Sequence, residues 1–240
     1  MNKLIIFLNP LMFFRMISWS VFSLTSFQML NKLKDQNLSA STVIDVGANI
    51  GQFAVAASKL LDTPRIYAFE PFPQSAQAFS KNTQKLPNIT LYPIGLGEQE
   101  GETEFHVNSH SHSSSILALA DSHKQAFPQA QEAEIIKIKV STLDTVFKDI
   151  ELQSPVLLKL DVQGYEPFVL RGGQETLKRV DYVILEASFK PLYEGEMLFT
   201  EIIALMESYG FRFLRPVGWL EAPKTGEILQ ADTLFERKKL

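Results

Sequence analysis

The sequence contains no cysteine. That single absence excludes disulfide staples, cysteine-ligated zinc, thiolate nucleophiles and cysteine-ligated iron–sulfur clusters. Cationic residues are also in short supply. The 23 Lys and Arg are outnumbered by 27 Asp and Glu, for a net charge of −4. A nucleic-acid binder would need a basic surface that this balance does not provide. A long uninterrupted hydrophobic run is missing too. Residues 1–33 are rich in Leu, Ile, Phe and Met, but Lys3, Asn9, Pro10 and Arg15 break the stretch. Its longest uncharged piece, Met16 to Asn31, carries four serines, a threonine and a glutamine. A bilayer-spanning helix needs about 20 mostly apolar residues, so this segment is a poor span. No small-residue cleavage site follows a clean apolar block, which argues against a cleaved signal peptide. The expectation is a cytoplasmic protein whose first segment packs Trp19, Phe22, Phe27, Leu30 and Leu33 onto the domain or onto a second copy as a homodimer contact. Peripheral membrane contact through 1–33 is the competing reading, weakened by the few basic residues behind the apolar face.

What is present is the composition of one globular domain: 240 residues, 45% hydrophobic and 21% charged. The expected division is an apolar helical extension over 1–40 and a domain over 41–240. From Ser41 onward, strand-like and helix-like segments alternate. Strands are predicted at Val43–Gly47, Arg65–Glu70, Ile89–Leu96, Val156–Val162, Tyr182–Phe189, Phe211–Val217 and Ile228–Glu236. Several are near-continuous apolar runs, as strands buried on both faces are. Phe53, Ala56, Ala57, Leu60 and Leu61 share one helical face, as do Phe199, Ile202, Ile203, Met206 and Tyr209. Gly210 stands where a left-handed C-cap is expected. Such alternation predicts an α/β fold, a mostly parallel sheet with helices on both sides. The last two strands have only a turn between them, so one must run antiparallel. Glu102–Val107 and Glu134–Val140 alternate around a polar loop, Asn108–Gln131, and read as an inserted β-ribbon carrying a mobile cap.

The chemistry is concentrated in two strand ends. In Thr42-Val-Ile-Asp-Val-Gly-Ala-Asn-Ile-Gly-Gln-Phe53 an apolar strand ends in Asp45, passes small residues and enters an amphipathic helix. Gly47 permits a sharp turn and close ligand approach. Asn49 tolerates left-handed geometry, Gly51 permits close helix–strand packing, and the helix start offers free N–H groups. The spacing is Gly-x-x-x-Gly, not the Gly-x-Gly-x-x-Gly of a dinucleotide pyrophosphate site. Asp45 would repel a phosphate but attract a cationic ligand, directly or through water. The next strand, Arg65-Ile-Tyr-Ala-Phe-Glu70, ends in an acid before Pro71, placed to accept both hydroxyls of a ribose. A phosphate-free, cationic nucleoside satisfies both acids, and S-adenosylmethionine is such a ligand.

The chain resembles the FkbM family of class I methyltransferases. The resemblance is carried by Val43–Phe53, Ile66–Pro73, Tyr92–Phe105, Thr142-Leu143-Asp144, Leu158–Gly173 and Val183–Tyr193, in that order. It implies a Rossmann-like, seven-stranded sheet of order 3-2-1-4-5-7-6 and O-methylation of a sugar, glycolipid or secondary-metabolite hydroxyl. The donor-binding set is then Asp45, Gly47, Asn49, Gly51, Gln52, Phe53, Glu70, Pro71, Gly95, Leu96 and Asp161. One departure is visible: the family often has Asp-x-Glu-Gly after the fourth strand, and here Gln163 replaces that glutamate.

Lys159, Asp161 and Glu166 cluster at the end of that strand, and Glu186 lies near the end of the next. Ligands of open α/β sheets sit beyond the carboxyl ends of strands. Asp161 and Glu186 are therefore candidates for deprotonating an acceptor hydroxyl; alternatively Asp161 caps the following helix. Two carboxylates alone do not specify a metal, and none is assigned. His110 and His112, on the polar loop, are candidate bases contributed by an acceptor lid; a solvated loop is the plainer reading. A nicotinamide dehydrogenase, a non-catalytic adenosine-ligand sensor and a membrane-associated scaffold are the competing function classes.

Overall fold

A computed structural model describes residues 18–61, 65–108, 114–127, 132–223 and 225–238. The chain begins there with α1 (Leu24–Lys34), capped by Ser23, whose side chain accepts from the Ser26 amide. Four of the strands that follow are the apolar runs: β1 (Thr42–Val46), β2 (Arg65–Phe69), β7 (Val156–Leu160) and β8 (Tyr182–Ser188). Every residue of β1 and β7 is buried. With β3 (Ile89–Tyr92), β9 (Phe211–Glu221) and β10 (Ile228–Arg237) they make a seven-stranded sheet of order β3-β2-β1-β7-β8-β10-β9. Counted without the three strands of the insertion, this is the 3-2-1-4-5-7-6 order of the class I methyltransferases. The first five are parallel, and β10 is antiparallel to both β8 and β9.

Side-chain alternation sends successive residues to opposite faces. Val43, Leu157, Ile184 and Leu234 pack on one face against α1 and α2 (Gln52–Leu60). Ile44, Leu158, Val183 and Leu185 pack on the other, against α5 (Leu143–Phe147), α6 (Glu166–Arg171) and α8 (Phe199–Ser208). The remaining helices, α3 (Pro73–Thr83) and α7 (Gln174–Leu177), complete the two covering layers. Phe27, Leu30 and Leu33 are buried in the first layer, and Trp19 and Phe22 are half-buried against it. Among the described residues no helix is long and apolar enough to cross a membrane.

Two expectations need correction. Ile89–Leu96 is not one strand. β3 stops at Tyr92, because Pro93 has no N–H for the ladder. The chain turns, and β4 (Gly95–Leu96) joins a second sheet of order β4-β6-β5 with β5 (Gly101–Asn108) and β6 (Glu132–Ser141). The ribbon is therefore three-stranded. Nor is the segment between its long strands wholly a loop. It contains α4 (Asp121–Ala126), and its described part is pinned by bridges from Ser115 to His106 and from Leu119 to Tyr193.

Candidate functional site

A cavity of about 690 Å³ opens at the carboxyl ends of the parallel strands, within the usual range for small-molecule sites. Strand register explains its polarity. On the α1 face, the apolar pair Val43 and Leu157 is followed two residues nearer the cavity by Asp45 and Lys159, level with Ile184 and Leu234, which are in turn followed two residues further by Glu186 and Asp232. The core thus gives way to charge within one pleat repeat.

At the β1–β2 end the backbone does most of the shaping. Gly47 has φ +76°, and a Cβ there would lie 1.9 Å from the Asp161 carbonyl oxygen. No larger residue fits this crossing. Asn49 is also left-handed, with φ 48°, and its side chain accepts from the Ile50 amide at 2.7 Å. The turn aims the Asn49 N–H at Glu70 Oε2 and the Phe72 N–H at Glu70 Oε1, both at 2.8 Å. Glu70 is thus held by one donor on each oxygen and keeps further lone pairs for a ligand in the cavity. Burial pushes its pKa up to about 7, against the pull of those two amides.

In the middle of the sheet, Lys159 is buried between two acids. Its Nζ lies 3.2 Å from Asp45 Oδ1 and 3.2 Å from Asp161 Oδ2, and donates to the Gly47 carbonyl at 3.3 Å. Burial would lower the lysine, but Asp161 and then Asp45 outweigh it and raise its pKa well above the ordinary value. Asp161 is lowered: burial pushes up, and Lys159 with Gln163 more than offsets it. Asp45 is raised, because burial exceeds what Lys159 returns. Lys159 therefore bridges two acids that burial and its own charge pull in opposite directions, Asp161 down and Asp45 up.

Gln163 ties the next two carboxylates together. It sits at φ 59°, and its Nε2 donates to Asp161 Oδ1 at 2.7 Å and to Glu186 Oε2 at 2.5 Å. Its Oε1 accepts from the Tyr193 hydroxyl, and Gln230 donates to Glu186 Oε2 at 3.2 Å. Burial, then repulsion from Asp161 and Asp232, drives Glu186 well above the usual carboxylate range. The environments push the pair apart, Asp161 down and Glu186 up, the arrangement that splits acid and base roles between two carboxyls. A glutamate at 163 would place a third carboxylate against them. Gln163→Glu is expected to lose turnover steeply from pH 6 to pH 8, as the added group ionises, relative to the parent. A profile parallel to the parent's across that interval would refute the bridging role.

Of the candidates read from the sequence, Gly47, Asn49, Gln52, Phe53, Glu70, Pro71, Gly95, Leu96, Asp161 and Glu186 line the cavity. Asp45 and Gly51 do not. Asp45 is fully buried and paired with Lys159, which itself lines the cavity. Gly51 (φ +95°) starts α2 facing Phe79. His110 and His112 lie outside the described residues. The histidine that does line the cavity is His123 on α4, its ring tilted against Phe127 and Tyr193 and its pKa lowered by burial. Asp232 and Gln230 on β10 and Ser23, Thr25, Ser26 and Met29 on or beside α1 also line it. Sequence periodicity could not bring these segments together, since about 200 residues separate them. Among the described residues, no three His, Asp or Glu side chains gather as a metal site.

The profile of the methyltransferase FkbM domain matches residues 45–213. The chain is 28% identical over 173 residues to 2-O-methyltransferase NoeI of Sinorhizobium fredii, covering 70% of this chain and 71% of that protein. It is 30% identical over 144 residues to the hexuronic acid methyltransferase AglP of Haloferax volcanii, covering 59% of this chain and 54% of that one. Among solved structures, the magnesium protoporphyrin IX methyltransferase of Synechocystis PCC 6803 superimposes with a TM-score of 0.49 at 11% identity, over 89% of this chain and 80% of that one. The chain belongs to the FkbM family of S-adenosylmethionine-dependent methyltransferases.

Proposed function

We propose that the enzyme transfers a methyl group to a hydroxyl oxygen of a sugar. The observation that carries this is the two-ended cavity. Glu70, fixed by two backbone amides, closes one end, and the Asp161–Gln163–Glu186 cluster stands at the other. The matched relatives named for 2-O-methyl transfer and for methylating a hexuronic acid support the acceptor class.

The residues present fit the donor. Glu70 keeps acceptor capacity for ribose hydroxyls, and Gly47, Asn49 and Pro71 shape the wall beside it. When bound, S-adenosylmethionine supplies an electrophilic methyl on a sulfonium. The protein's part is to hold the acceptor oxygen in line, a contribution of about 7–11 kcal/mol in favourable cases. Asp161 is ionised and partly open to the cavity, its side chain 36% exposed, so it accepts a hydrogen bond from the acceptor hydroxyl. The Asp161–Glu186 pair takes up the proton. We further assign residues 1–40 as an extension to the 41–240 domain; the packing of its described helix α1 on α2 and β9 supports docking of that helix over membrane contact.

Labelled methyl transfer tests the reading, with methyl hexopyranosides, simple phenols and primary alcohols as competing acceptors. A methyl ether on a sugar carbon, located by NMR, is the expected product. Methylation confined to phenols or to nitrogen, or intact donor binding with no transfer, would overturn it.

A further inference from the structure

The cavity is closed on its far side by two pieces of chain whose lining residues fall outside the 45–213 family match: the start of α1 and the β9–β10 hairpin. They are locked to each other. Lys32 Nζ donates to the Val217 carbonyl at 2.6 Å and lies 5.3 Å from the Trp219 ring centroid. At the wall they form stands Trp219, 52% exposed although it lines the cavity. Its Nε1 donates to Glu221 Oε1 at 2.8 Å, which fixes the indole orientation. Beside it, Asp232 crosses over Gly218, where a Cβ would lie 2.1 Å from Asp232 Oδ2. A glycine is needed there for the carboxylate to reach the wall.

We propose that Trp219 is the platform of an acceptor subsite, stacking the C–H face of a neutral sugar ring while Asp232 and Gln230 accept and donate hydrogen bonds at its hydroxyl rim. This rests on the sugar-acceptor reading above. A pyranose is amphipathic in the manner such a wall requires, apolar on its ring faces and polar at its edge. An indole offers a large, rigid apolar face at little entropic cost. Carboxylate and amide side chains satisfy hydroxyls that would otherwise lose water on binding. The donor end is built from β1, β2 and β4 inside the family match. The acceptor end draws on α1 and β9–β10 outside it, so Trp219 would set acceptor choice without touching the donor.

Steady-state kinetics with a methyl hexopyranoside acceptor test the proposal, using the parent, Trp219→Ala and Trp219→Tyr, with S-adenosylhomocysteine affinity measured by calorimetry. Trp219→Ala is expected to raise the acceptor KM by about tenfold, in line with the loss of one aromatic contact. The turnover number and donor affinity should stay within about twofold. Tyr at 219 should restore most of the acceptor affinity, which a merely structural role would not predict for a half-exposed residue. An unchanged KM in Trp219→Ala, with the parent methylating the glycoside, would overturn the platform and leave the sugar reading standing. A parent that methylates only non-sugar acceptors would overturn both.

Discussion

Replacing Lys159 by methionine is expected to destabilise the enzyme by about 3 kcal/mol at pH 8. That figure is the low end of the roughly 3–5 kcal/mol lost when one partner of a buried ion pair is removed. The low end applies because Asp161 is partly open to the cavity, whereas Asp45 is fully buried. Methionine matches the length of the lysine stem but leaves two acids and the Gly47 carbonyl without their shared donor. The pH dependence follows from the direction of the shifts. Asp45 is already raised by burial, and without the ammonium it would rise further while Asp161 would lose the main influence that lowers it. A group raised in the folded state stabilises below its unfolded pKa and loses that contribution as pH rises through the folded value. The deficit of Lys159→Met should therefore shrink as pH falls toward 5. Asp45→Asn combined with Lys159→Met should recover part of the loss, because one of the stranded charges is gone. Urea unfolding at several pH values compares the parent with both variants. A single variant within about 0.5 kcal/mol of the parent at pH 8, the range of ordinary surface changes, would show that the pair is not structural.

The sheet was legible in the sequence because its central strands are long apolar runs and its motif order resembles the family's. Ile89–Leu96 departs from a single strand because the missing N–H of Pro93 marks the point where the chain leaves one sheet for another. The β1–β2 end of the cavity was also legible, since Gly47, Asn49 and Glu70 are brought together by one strand–turn–helix unit and its neighbour. Asp45 was placed against the ligand because a strand-end acid looks available in one dimension. Only the pairing of β1 with β7 shows Lys159 lying over it. Beyond Asp161 and Glu186, which strand ends announced, the far wall of the cavity was not legible. It is made by α1 meeting the last two strands, and neither segment carries a motif. His123 carries no sequence signal, because a lone histidine on a short helix forms no pattern. Its place in the cavity depends on the bridge from Leu119 to Tyr193, a long-range contact that no local pattern announces.

Glu70 carries the other large effect, on donor affinity. Glu70→Ala is expected to raise the dissociation constant for S-adenosylmethionine by about 10- to 100-fold, the range for losing hydrogen bonds to a charged group. Glu70→Gln should be nearly as damaging. Both carboxylate oxygens accept a backbone N–H, so an amide must turn its NH2 toward one of those donors and orphan it. The parent should also bind the donor more weakly in acid. Its Glu70 has a pKa of about 7 without ligand, and ribose hydroxyls favour the ionised form, so protons compete with the donor below that value. Affinity should fall as pH drops from 8 to 5.5, approaching about tenfold per pH unit at the acid end. In Glu70→Ala this component should be absent. The ligand-free protein should show the opposite trend. A carboxyl raised from 4.5 to about 7 contributes stability that is complete below pH 4.5 and lost as pH rises through 7. Bound donor should therefore offset a loss that the empty enzyme shows. Calorimetric titrations of parent and Glu70→Ala across this range decide the matter. Equal affinities for the two at pH 8, or a parent curve flat through pH 7, would mean that the ribose lies elsewhere in the cavity.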